Sequence, residues 1–115
     1  MVKSSAKARA LRLDSVFHAL SDTTRRSILR HVATGEKTVG QIAAPYPVSL
    51  AAVSKHLKVL EGAKLIHREK KGSFQMVRIN AAPMREAEQW LAYYEKFWSE
   101  GLDALQNLLE REESR

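Results

Sequence analysis

Residues 39–60, Val39-Gly-Gln-Ile-Ala-Ala-Pro-Tyr-Pro-Val-Ser-Leu-Ala-Ala-Val-Ser-Lys-His-Leu-Lys-Val-Leu60, read as two short helices joined by a tight turn. In the second helix Leu50, Val53, Leu57 and Leu60 recur at intervals of 3, 4 and 3. That spacing predicts one buried face. The opposite face carries Ala51, Ala52, Lys55 and Lys58, with Ser54 and His56 at its edges. Small side chains let a backbone approach base edges, and cations neutralise phosphate. This is the residue chemistry of a helix that enters the major groove of duplex DNA. The competing interpretation is a generic helical pair whose outer face is merely solvated.

The residues that follow bear on the choice. Leu65 to Lys70 and Phe74 to Ile79 have strand composition, and Lys71-Gly72-Ser73 supplies a turn. A hairpin tipped by Lys70, Lys71, Gly72 and Ser73 is either an ordinary solvated turn or a cationic wing that lies on the sugar-phosphate backbone. Helix then hairpin is the order of a winged helix-turn-helix, which favours the wing. The expected class is mainly α with a small β-hairpin: five helices, a two-stranded wing and a long C-terminal dimerisation helix.

Outward from this centre, residues 1–8 are expected to form a basic mobile tail. A first helix covers about 9–20, with Leu11, Val16, Phe17 and Leu20 as its apolar set. Ser21 or Asp22 caps a second helix of about 23–33, with Ile28, Leu29 and Val32 inward, and Gly35 ends it. The first helix of the pair spans about 38–44 and stops at Pro45-Tyr46-Pro47. Ser49 caps the recognition helix, about 50–62, and the hairpin fills about 64–79. Residues 9–80 thus form the DNA-binding unit. Residues 81–115 add a last helix to the same domain, with Pro83 in its first turn.

Charge follows the same division. The net charge is +6 and the pI about 9.8. Met1 to Ile79 hold 15 Lys and Arg against 5 Asp and Glu, whereas Asn80 to Arg115 hold 4 against 8. A basic body with an acidic tail points to a polyanionic partner, and duplex DNA fits the motif better than acidic lipid. Cysteine is absent, which excludes disulfides, thiolate metal sites and thiol redox switches. No apolar run is long enough to span a bilayer, and the start MVKSSAKAR lacks the apolar core of a secretory signal. A soluble cytoplasmic protein is expected.

The last helix concentrates apolar residues. Met84, Ala87, Leu91, Tyr94, Trp98, Leu102, Leu105 and Leu109 share a face that Trp90, Phe97 and Leu108 widen. A small-ligand box and a packing surface are both conceivable. A chain of this size has too little core to cover such a stripe over about eight helical turns. A second copy is the simplest cover, and the expected dimer surface comprises Leu11, Phe17, Trp90, Leu91, Tyr94, Phe97, Trp98, Leu102 and Leu105.

The segments LSDTTRRSILRHV, TVGQIAAPYPVSLAAVSKHLKVLEGAKLI and the hairpin through VRIN resemble the ArsR family of bacterial winged-helix repressors over about residues 10–80. The run EQWLAYYEKFWSEGLDALQNLLE resembles a branch with a long aromatic last helix. The resemblance implies a homodimer that represses transcription by occupying a palindromic operator. Some members of the family are metal sensors. Their thiolate ligands would fall near Thr38 to Ile42, where this chain has no cysteine, and their zinc ligands near Asn80-Ala81-Ala82-Pro83, which offers no usable pair. The family's usual Asp-Pro is Asp22-Thr23 here. Lys64 stands where a glycine usually follows the recognition helix, so either Lys64 adopts a left-handed cap or Gly62 shifts the helix end.

No metal or other cofactor is expected. His18, His31, His56 and His67 show neither an i, i+4 pair nor an HxH motif. His56 is better placed to donate to a phosphate or base. Arg25 and Arg26 either touch phosphate or pair structurally. Ser54 and His56 lack the glycines of a nucleophile elbow and a third orienting group, so no enzyme is expected. The DNA-contacting set is Ser49, Ala51, Ala52, Ser54, Lys55, His56, Lys58, Lys70 and Lys71. The alternatives are a protein-interaction module built on the aromatic helix and a histidine-based metal sensor.

Overall fold

A computed structural model describes residues 2–113, with side chains from residue 6. Its order is α1 (Val2–Leu20), α2 (Thr23–Ala33), β1 (Lys37–Thr38), α3 (Val39–Ala43), α4 (Leu50–Gly62), β2 (Ile66–Lys71), β3 (Phe74–Ile79) and α5 (Ala82–Glu113). The core joins Val16 and Ala19 of α1, Ile28, Leu29 and Val32 of α2, and Ile42 of α3. Val53, Leu57 and Leu60 of α4 close on them, with Leu65, Ile66 and Val77 of the hairpin.

Three expectations are corrected. First, α1 begins at Val2 and takes in residues 2–8, ahead of the expected start at about residue 9. Ala6, Lys7, Arg9 and Ala10 are good helix formers that need no apolar stripe to continue it. Second, the sheet has three strands, not two. Lys37 pairs with Val77 and Thr38 with Met76, so β3 is central and bonded on both sides. A two-residue strand lies below the length at which alternation is visible. Third, Leu50 leaves the buried stripe: it is 59% exposed while Val53, Leu57 and Leu60 are fully covered. The first turn of α4 overhangs the layer on which the rest of the helix packs.

Local chemistry fixes the element ends. The Asp22 carboxylate caps α2 by accepting the Arg25 amide at 3.0 Å. Thr38 and Gln41 form a reciprocal capping box on α3. Pro45-Tyr46-Pro47 separates α3 from α4, and the Tyr46 hydroxyl lies 2.7 Å from the Ser27 hydroxyl of α2, tying the turn to the body. The hairpin closes through Gly72-Ser73, with Lys71 opposite Phe74. Gly72 has φ +62°, the conformation that a glycine-first two-residue turn demands.

The end of α4 settles the question of Lys64. The helix stops at Gly62, and Lys64 takes the left-handed conformation at φ +63°. Its amide donates to the Glu61 carbonyl, and the Leu65 amide donates to the Leu60 carbonyl, both at 3.0 Å. This is a Schellman cap, and the buried pair Leu60 and Leu65 supplies its apolar contact. The Asn80 side chain donates to the Lys64 carbonyl at 2.7 Å and its amide to the Leu65 carbonyl at 2.8 Å. The recognition helix, the hairpin and the start of α5 therefore meet at one strained residue. Lys64→Gly is expected to stabilise the protein by about 0.5–1 kcal/mol, and Lys64→Val to destabilise it, because a β-branched residue tolerates a positive φ poorly. Urea denaturation of the two variants measures both effects.

Candidate nucleic-acid interface

The interface is built on α4. The Ser49 hydroxyl caps it by accepting the Ala52 amide at 3.1 Å. Ala51, Lys55 and Lys58 are exposed, and Ala52 and Ser54 are half-buried beside them. Val53, Leu57 and Leu60 lock the opposite face into the core, so the helix presents this row rigidly. Neither Lys55 nor Lys58 makes a hydrogen bond or ion pair with another described residue. The sequence-derived row thus shares one exposed face.

His56 points the other way. Its Nδ1 lies 3.3 Å from the Arg25 guanidinium and 3.8 Å from the Asp22 carboxylate, and its side chain is only 25% exposed. A guanidinium can only donate, so in this contact Nδ1 accepts. Nε2–H is then the one ring group left for a phosphate. Arg25 and Arg26 resolve towards the structural role. Arg25 is buried, and it donates through Nε to the Ala19 carbonyl at 2.8 Å and through its second terminal nitrogen to the His18 carbonyl at 3.0 Å. Arg26 donates to the Leu20 carbonyl at 2.8 Å. The two arginines cap the C-terminal end of α1, where cations meet the negative end of the helix dipole. The backbone amide of Arg25 holds the Asp22 carboxyl below its usual range; burial opposes it in part, and the charge of Arg25, with that of His56 when protonated, lowers it further.

The wing is divided. Lys70 is exposed. The Lys71 ammonium lies 3.0 Å from the Glu36 carboxylate and is partly neutralised in the free protein. Between wing and recognition helix runs a groove of about 460 Å³ whose walls include Leu50 and Ser54 on one side and Arg68 and Gln75 on the other. Arg68 donates to the Gln75 amide oxygen at 2.8 Å and lies 3.9 Å from the Glu61 carboxylate. Sequence reasoning missed both Arg68 and the exposed Leu50. The two residues that lie between helix and wing are far apart in the chain, and only strand register and helix overhang bring them together.

The four histidines remain separate: His18 and His67 are exposed, His31 is half-buried on α2, and His56 is engaged as described. Among the described residues no three metal-ligating side chains converge. No helix among them is long and apolar enough to cross a membrane.

A family model described as a helix-turn-helix domain matches residues 20–69. The transcriptional repressor SdpR of Bacillus subtilis (strain 168) is 34% identical over 79 residues, which cover 69% of this chain and 88% of that protein. The solved ArsR family transcriptional regulator RHA00566 superposes with a TM-score of 0.72 at 32% identity, over 78% of this chain and 93% of its own. The chain belongs to the ArsR family. It is accordingly a winged helix-turn-helix, DNA-binding regulator of transcription. Another structural relative is the homodimeric winged helix-turn-helix DNA-binding domain of Mb0332 from Mycobacterium bovis, a possible ArsR-family regulator. It has a TM-score of 0.60 at 25% identity, over 83% of this chain and 87% of that one.

In this ArsR-family chain the Arg25 guanidinium links three helices and presents no accessible charge to phosphate. Arg25→Ala is expected to cost about 2–3 kcal/mol, because it strands the buried Ala19 carbonyl at the end of α1 and removes the bond to His56. Arg25→Lys should recover only part of the loss, since an ammonium cannot span three acceptors in one fork. Thermal denaturation of both variants checks the order.

Proposed function

We propose that the protein is a homodimeric, cytoplasmic repressor that occupies a palindromic operator, and that it performs no enzymatic step. The observation that carries this reading is the row of uncompensated cations, Lys55 and Lys58 on α4 and Lys70 on the wing, on a body with a strong positive balance. Ser49, Ala51, Ala52, Ser54, Lys55 and Lys58 would enter or flank the major groove, with His56 reaching phosphate through Nε2. Lys70 would meet the flanking backbone, and Lys71 would join it by exchanging Glu36 for phosphate. Arg68 extends this cationic path across the groove between helix and wing. Repression follows if an occupied operator overlaps the promoter, and the name of the Bacillus subtilis relative supports that sign of regulation.

Dimerisation is supported by α5. The helix has 32 residues, and Ala87 is its one buried residue among those described. The radius of gyration is 19.5 Å, against about 13 Å for a compact chain of this length. Trp90, Leu91, Tyr94, Phe97, Trp98, Leu102 and Leu105 are each at least 45% exposed, and so is Leu11 on α1. Phe17 is half-buried and meets Trp90 edge-on at 5.6 Å, continuing the surface onto α1. Each large apolar side chain buried contributes about 1.5–3 kcal/mol, so a two-fold pairing of α5 and α1 would outweigh the entropy of association. The homodimeric state of the Mycobacterium bovis relative supports the same assembly.

Lys55→Ala and Lys58→Ala are each expected to weaken duplex binding and to lower the salt slope by about 1. Fluorescence anisotropy across a salt series measures both. Unchanged affinity in both variants would reject this face of α4. For assembly, sedimentation at micromolar concentration should give a dimer for the full chain and a folded monomer for the double variant Trp98→Glu, Leu102→Glu. A wild-type monomer would overturn the homodimer.

A further inference from the structure

Resting on the DNA-binding reading above, we infer that the exposed apolar start of α4, formed by Val48, Leu50 and Ala51, reads the 5-methyl groups of thymines in the major groove. The half-site is therefore specified in part by apolar contact and carries thymine where this end of the helix enters. Leu50 is 59% exposed and Val48 49%, and Ala51 beside them is exposed as well. Leu50 and Ala51 begin the N-terminal turn, the part of a recognition helix that meets base edges, and Val48 immediately precedes its cap.

Their chemistry limits what they can recognise. Leu50, Ala51 and Ala52 offer no side-chain donor or acceptor, so this turn cannot make the bidentate bonds that select guanine or adenine. The Ser49 hydroxyl oxygen is engaged with the Ala52 amide. On the major-groove edges of the four base pairs the one apolar feature is the thymine methyl. Lys55 and Lys58, further along the helix, supply the phosphate attraction that would bring the patch to the groove. A protein partner is a poor alternative occupant, because three side chains fall far short of the roughly 800 Å² per partner in a stable protein interface. The surface proposed above for self-association lies elsewhere, on α5 and α1.

The test uses the full-length protein and duplexes selected by it from a random synthetic library. The enriched sequence is made again with deoxyuridine in place of thymine, one position at a time, which removes the methyl group and leaves base pairing intact. At one or two positions in each half-site, affinity should fall about fourfold, the worth of one buried methyl. Leu50→Ala should abolish that discrimination, while Lys58→Ala should lower affinity for both duplexes equally and preserve it. Enriched duplexes bound equally well with thymine and deoxyuridine, or discrimination that survives Leu50→Ala, would overturn the inference and leave the DNA-binding reading standing. A selection without enrichment, together with no salt-dependent binding to any duplex, would overturn both.

Discussion

The placement of the recognition helix depends on one buried cation. Arg25 enters from the first turn of α2, fills the gap at the C-terminal end of α1, and reaches His56 on α4. A guanidinium in that position has little access to water, so its charge must be met by fixed acceptors. The carbonyls of His18 and Ala19, the imidazole Nδ1 and the nearby Asp22 carboxylate provide them. The bond to the Ala19 carbonyl satisfies a group that the end of α1 would otherwise leave unpaired. Three helices are thereby fixed in mutual orientation by a polar centre, while Ile28, Leu57 and their neighbours supply the non-directional part of the cohesion. Hydrophobic burial alone would tolerate small rotations of α4. The fork geometry of Arg25 restricts them, and the angle at which Lys55 and Lys58 face outward follows.

A second junction lies at the far end of α4. The Schellman turn through Lys64 reverses the chain into β2, and Asn80 returns from β3 to bond the same turn. Helix and wing are both fastened there. The left-handed lysine is a local cost of about 1 kcal/mol carried by the apolar contact and by the Asn80 bonds.

Charge and apolar surface are separated along the molecule. The body is basic where α4 and the wing lie, whereas α5 is acidic overall and covered with large apolar side chains. That arrangement keeps the surface proposed for self-association from competing with nucleic acid for the same residues. It also means that pairing through α5 can set the spacing of two recognition helices, about 34–36 Å for half-sites one helical turn apart, without altering the contacts either makes.

The sequence by itself determined the elements whose signals are local. Ser49 as a cap, Val53, Leu57 and Leu60 as an inward stripe, the Pro45-Tyr46-Pro47 break and the glycine of the wing turn each act within a few residues, and each element lies where these residues place it. Tertiary structure decided what depended on distance along the chain. Strand β1 exists because Lys37 and Thr38 find a partner in β3, not because two residues carry a strand preference. Leu50 has the same helical phase as Val53 yet remains exposed, because periodicity gives the side of a helix and not how far a neighbour extends along it. Arg25, His56 and Lys71 look alike in sequence as available polar groups. Their pairing with α1, α2 and Glu36 removes or redirects that availability, and only packing brings those partners within bonding reach.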